Sequence, residues 1–124
     1  MSVVIRKASV RWKGSARGGV RTVTTDSGVL NRAKFSPGLP LKHNSHTDPT
    51  ELIAAAHASS FSLALSKELR LTTSAAGEIT TSATVTVDLL ATGWTVINIH
   101  LHVVARLPKM TQGRFIDATV RAKT

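Results

Sequence analysis

His57 and Ser60 stand three apart in "AAAHASSFSL", Ala54 to Leu63, and helical spacing puts them on roughly the same face. A base beside a hydroxyl invites comparison with an activated serine. That chemistry needs a third group to orient the imidazole and an oxyanion hole, often on a strained turn, whereas this serine lies mid-helix with its own amide consumed by the helix ladder. The plainer expectation is a buried Ser60 hydroxyl bonding back to the carbonyl of Ala56. His100 and His102, two apart in a strand pattern, point the same way, a spacing that metal sites use. No neighbouring carboxylate completes a ligand set, and His43 and His46 could join only through the fold, so no metal and no cofactor is expected. Glu51 falls three residues after Asp48 and reads as half of a capping box before it reads as an acid or base. Gly14, Gly18 and Gly19 make no phosphate-binding fingerprint.

The 124 residues contain no cysteine, which removes disulfides, thiol catalysis, Cys-bound zinc and thiol redox switching together. A chain of this length buries roughly two thirds of the surface its unfolded form exposes, so a single domain over 1–124 is expected to fold without staples. Sixteen Lys and Arg against seven Asp and Glu leave a net charge of +9, and nine of those basic residues, with the single acid Asp26, fall in the first 42 positions. A basic half can be a nucleic-acid footprint through counterion release, but base-stacking modules also need clustered aromatics, and Trp12, Phe35, Phe61, Trp94 and Phe115 are scattered. A solvated basic face is therefore preferred, with a basic nucleic-acid-binding protein kept as an alternative. No apolar stretch approaches the roughly 20 residues of a bilayer-spanning helix, and Met1 to Lys7 offers only Val3, Val4 and Ile5 before charge returns. Neither signal peptide nor membrane anchor is expected, and the location is read as cytoplasmic.

The elements that would position these residues follow from period and punctuation. Val3 to Lys13 alternates as a half-buried strand, Gly14 to Gly19 is a loop, Val20 to Thr25 is a second strand, and Asp26-Ser27-Gly28 turns into a third from Val29 to Phe35, an antiparallel meander. Ser36 to Thr47, carrying Pro37, Gly38 and Pro40, is a loop. Asp48 then caps a helix that has Pro49 at its first position and Glu51 reaching back to the cap amide. Leu52, Ala55, Ala56, Ser59, Ser60, Leu63 and Ala64 recur at helical spacing as its inward stripe, and it ends near Leu69 to Leu71. After Thr72 to Gly77, Ile79 to Leu89 alternates as a strand, Ala91-Thr92-Gly93 turns, and a further strand sets Ile97, Ile99, Leu101, Val103, Ala105 and Leu107 against Asn98, His100, His102 and Arg106. Pro108 stops it, and Thr111 caps a last helix with Phe115, Ile116, Thr119 and Val120 on its apolar side. Three strands, a helix, two long strands and a helix make an α+β domain.

"VRWKGS" (Val10 to Ser15), "VTTDSGVLN" (Val23 to Asn31) and "TDPTELIAAAHASSFSLALS" (Thr47 to Ser66) together resemble the osmotically inducible protein C and organic hydroperoxide resistance (OsmC/Ohr) family, from about Val4 to the C-terminus. The longest stretch follows the family's helix, Thr-Asn-Pro-Glu-Glu-Leu and then Ala-Ala-Ala-His-Ala-Ala-Cys-Phe, nearly position for position. The resemblance implies an OsmC-like fold and an intertwined homodimer with its sites at the subunit interface. In the family the helix Cys is the peroxidatic nucleophile, a loop Arg holds its thiolate, a Glu at the helix start holds that Arg, and a second Cys follows a later helix. The first Cys falls on Ser60, the Glu on Glu51 and the loop Arg closest to Pro40; the second Cys, and the strand normally after it, would lie just beyond Thr124. Arg32, Lys34 and Lys42 are candidates to replace the Arg.

Three of the four chemical parts are thus absent. What the resemblance implies is a stress-response protein of the hydroperoxide family without the Cys pair and without thiol peroxidase activity, binding a small hydrophobic molecule or organic hydroperoxide at the dimer interface. The alternative is a functional hydroperoxide reductase in its unaltered form. Loss of the last strand would expose a sheet edge and make dimerisation more necessary.

Overall fold

The structure, a computed structural model, describes residues 3–14, 20–35, 46–69, 77–108 and 110–123. Residues 15–19, 36–45 and 70–76, with the sequence expectations on Pro37, Gly38, Pro40, Lys42 and His43, lie outside them. The order is β1 (Ala8–Lys13), β2 (Val20–Thr25), β3 (Ala33–Lys34), α1 (Pro49–Glu68), β4 (Glu78–Leu90), β5 (Gly93–Arg106) and α2 (Gln112–Ala122), an α+β chain with antiparallel strands. Met1–Pro49 and Thr50–Thr124 are two compact units. No helix among the described residues is long and apolar enough to cross a membrane.

In the first unit the meander has the order β1-β2-β3, with Ala8 opposite Thr25, Lys13 opposite Val20 and Val23 opposite Ala33. Alternation sorts it into two faces, with Val10, Trp12, Val23 and Phe35 sharing one. Arg21 is on that apolar side, 3% exposed, its guanidinium 4.0 Å from the ring centroid of Trp12 opposite it.

Both outer strands are shorter than their alternation suggests. β1 starts at Ala8 instead of Val3, because β2 ends at Thr25 and the turn at Asp26 carries the partner away. That end is closed by Asp26, whose amide donates to the Lys7 carbonyl at 2.9 Å while its Oδ2 accepts the Lys7 amide at 2.9 Å. The strand expected over Val29 to Phe35 contracts to Ala33–Lys34. Gly28 and Arg32 take positive φ of 77° and 53°, and the amides of Leu30 and Arg32 donate to Thr25 Oγ1 (3.2 Å) and Thr24 Oγ1 (3.1 Å). Threonine hydroxyls have captured donors that a ladder would have used.

The second unit is built on the β4–β5 hairpin, with Glu78 opposite Arg106 and Leu90 opposite Gly93 across a turn at Ala91 and Thr92. Gly93 sits at φ 114°, where a side chain would be strained. The core is Phe61, Leu65 and Leu69 with Ala118 of α2, packed by Ile79, Leu101, Val103, Leu107, Met110 and Phe115. Ser62 Oγ donates to Thr81 Oγ1 at 2.7 Å, tying α1 to β4. The register shifts between Thr86 and Val87, so that Thr86 faces Asn98 and Val87 faces Val96. Ile97 is the extra residue and is exposed, which removes it from the inward row that the sequence pattern assigned it.

α1 packs with the opposite side to the one expected. Leu65 is fully buried and Phe61 and Leu69 nearly so, whereas Ala55, Ala56, Ser59, Ser60 and Leu63 are exposed and Leu52 and Ala64 half-buried. Bulk decides the orientation, because burying Phe61, Leu65 and Leu69 contributes about 1.5–3 kcal/mol each, far more than covering alanines and serines. α2 does not follow bulk in this way, and of the side expected for it only Phe115 packs on the core, with Thr119 half-buried. Thr111 caps it as expected, accepting the Arg114 amide on Oγ1 at 3.2 Å, but the core side is Phe115, Ala118 and Ala122, with Ile116 and Val120 exposed. An Arg121 to Glu68 ion pair at 2.7 Å and a bond from Arg114 Nη2 to the Leu69 carbonyl at 3.3 Å join the ends of the two helices.

Candidate functional site

Proline at the first helical position explains where α1 starts, and the chain reaches it through Thr47, whose amide donates to the Lys34 carbonyl at 3.1 Å, and through Asp48, 5% exposed. Glu51 lies exposed in the first turn. Two turns on, the back-bonded serine is Ser59, whose Oγ donates to the Ala55 carbonyl at 2.7 Å. Ser60 is exposed, not buried, so the expected bond to Ala56 is corrected to its neighbour. The physical reason is the helix rotation set by Phe61 and Leu65, which turns Ser60 away from the core. His57 Nδ1 donates to the Ile53 carbonyl at 3.3 Å.

Helix arithmetic fixes what can meet. Ile53, Ala56, Ser60 and Leu63 recur at three and four residues and form one exposed stripe, with Ser60 near its middle and Leu63 58% exposed. Ile53 has no place in the expected inward stripe, and its exposure is legible only once the packed side is known. Glu51 and Ser60 are nine residues apart on α1, which is about 13.5 Å of rise and half a turn of azimuth. One copy of the helix does not bring them together.

His100 and His102 project from the outer side of the hairpin, opposite Thr84 and Ser82. Among the described residues no group of three or more His, Cys, Asp or Glu could hold a metal ion. Arg32 lies in the bend before β3 and Lys34 in β3, both exposed. A cleft of about 590 Å³ is lined by Lys67, Glu68, Arg114 and Arg121, and one of about 200 Å³ opens beside Met110 and Phe115. Ser60 lines neither.

No family model matches the chain. Over 118 residues it is 33% identical to Peroxiredoxin OsmC of Escherichia coli (strain K12), covering 95% of this chain and 82% of that protein. The chain belongs to the OsmC family. Its fold agrees: an OsmC-like protein of unknown function from Vibrio cholerae superposes with a TM-score of 0.73 at 21% identity, over 97% of this chain and 88% of that one. The organic hydroperoxide resistance protein OhrB of Bacillus subtilis superposes with a TM-score of 0.60 at 23% identity, over 98% and 84%. Against this OsmC background the chemical departure is plain, for the chain carries no cysteine.

Proposed function

We propose that this OsmC-family protein acts as a cytoplasmic homodimer that holds a small apolar molecule, an organic hydroperoxide among them, at the interface around Ser60 without reducing it. The observation that supports this reading is Ser60 itself, an alcohol at the centre of an exposed apolar stripe on α1, at the position where the resemblance of the helix motif to the family's implies a cysteine. A thiolate forms near neutral pH when cations surround it, attacks the distal peroxide oxygen, and leaves a sulfenic acid and an alcohol; a second thiol then displaces water from the sulfenic acid. A serine hydroxyl stays protonated, is a poor nucleophile toward an O–O bond, and yields nothing that a thiol can recycle.

Dimerisation is supported by two features. Ile53, Ala56, Ser60 and Leu63 leave an apolar stripe uncovered on α1, and such a surface marks an interaction site. Glu51 and Ser60 stand on opposite sides of α1, so a family-type site that uses both requires two chains.

Ser60→Cys, incubated with cumene hydroperoxide and followed by mass spectrometry, is expected to gain one oxygen atom per chain and then to stall, because no second thiol is present to resolve it. Repeated cycling of that variant with a dithiol would refute the proposed dependence on a resolving cysteine, and failure to oxidise at all would remove Ser60 from the nucleophile position.

A further inference from the structure

We propose that the outward face of the β1-β2-β3 sheet docks the phosphate backbone of duplex DNA. Its two faces differ in chemistry. The register sets Arg11 opposite Thr22 and Thr22 opposite Lys34, so a cation, a hydroxyl and a second cation cross the three strands in one row, on the side away from Trp12 and Val23. Lys13 stands two residues along β1 on the same side. The Arg32 amide donates to Thr24 Oγ1 at 3.1 Å, which brings the bend before β3, with its exposed arginine, to the margin of this face. Arg11, Lys13, Arg32 and Lys34 are all exposed.

The acids of this unit stand elsewhere. Asp26 closes the end of the sheet against Lys7 at 2.9 Å, and Asp48 is 5% exposed just before α1. Arg21 is also on the other side, against Trp12. The positive face is therefore not neutralised from within its own sheet.

What surrounds the cations selects among polyanions. Trp12 and Phe35 belong to the opposite face, so among the described residues no ring is placed here for an unpaired base to stack on, which favours duplex over single strand. Among the strand residues, Val20, opposite Lys13, is the one large apolar side chain on this side, whereas membrane-surface binders present a set of apolar or aromatic residues to enter the headgroup layer. Threonine hydroxyls between the cations add neutral partners of the kind that contact phosphate oxygens. Contacts of this type position a duplex without reading its bases, so the binding is independent of sequence.

The test is fluorescence anisotropy of a labelled mixed-sequence DNA duplex titrated with the full chain over a range of salt. With four phosphates neutralised, log affinity falls against log salt with a slope of about −3.6, a loss of about a hundredfold between about 50 and 200 mM. Arg11→Gln combined with Lys34→Gln flattens the slope by about 2 and leaves circular dichroism unchanged. Arg11→Lys with Lys34→Arg, which keeps the charges, restores it, and Lys67→Gln with Lys123→Gln, removing equal charge from the other unit, leaves it intact. No binding at about 50 mM salt, equal losses from both neutralised pairs, or tighter binding to anionic lipid vesicles than to the duplex overturns the proposal.

Discussion

Ser59 and Ser60 are neighbours with different roles. Ser59 spends its hydroxyl on the Ala55 carbonyl, and Ser60 presents its own on the uncovered side of α1. Because the first bond only competes with the helix's own acceptors, Ser59→Ala is expected to raise stability by about 0.5 kcal/mol, the propensity gain of alanine at an exposed helical site; thermal denaturation reads it, and a loss instead would mean the hydroxyl has a further partner. Ser60→Ala tests the hydrolase reading that His57 invites. Among the described residues no acidic side chain orients that imidazole, whose Nδ1 goes to the Ile53 carbonyl of its own helix, so hydrolysis of an activated ester should be the same for the variant and the parent protein. A drop of about a hundredfold or more, the lower end of general-base assistance, would revive serine chemistry. The residue types on α1 were legible in the sequence, Ser59 and Ser60 among them. Their environment was not: whether Ser60 is buried depends on which side of α1 packs, and that is a property of the element.

At the scale of elements, the sequence pattern located both helices, the β4–β5 hairpin and the Thr111 cap, since strong periodicity and punctuation are local signals. It failed where local signals competed. Small residues recur on one side of α1 and suggested a close-packed interior, but Phe61, Leu65 and Leu69, spaced four apart, carry the bulk and win the core. In β3 the hydroxyls of Thr24 and Thr25 take the amides of Arg32 and Leu30 and dissolve most of the strand. At β5 a one-residue register shift carries Ile97 out of line, which alternation alone cannot reveal. These assignments make opposed expectations for substitutions. Leu65→Ala should cost about 2–5 kcal/mol, while Ile116→Ala on the exposed side of α2 should stay within about 0.5 kcal/mol; chemical denaturation of both variants would show the reverse order if the helices packed by the sides that the sequence pattern suggested. Thr111→Ala should cost about 1 kcal/mol through loss of the cap to Arg114.

For the whole molecule, the exposed stripe on α1 bears on assembly. Leu63, on the stripe with Ser60, is more than half exposed, and Glu51 faces the other way. Light scattering is expected to give a dimer whose melting temperature rises with protein concentration, and Leu63→Asp to shift it toward monomer; a dimer unaffected by that charge would place the interface elsewhere. The proposed dimer is expected to leave a bound peroxide unreduced, because the chain offers hydroxyls and no thiol. Cumene hydroperoxide in several-fold excess over the pure, metal-free protein, with a dithiol supplied, puts the matter to the test. Peroxide should disappear no faster than in buffer with the dithiol alone, and sustained consumption beyond one equivalent per chain would contradict the account.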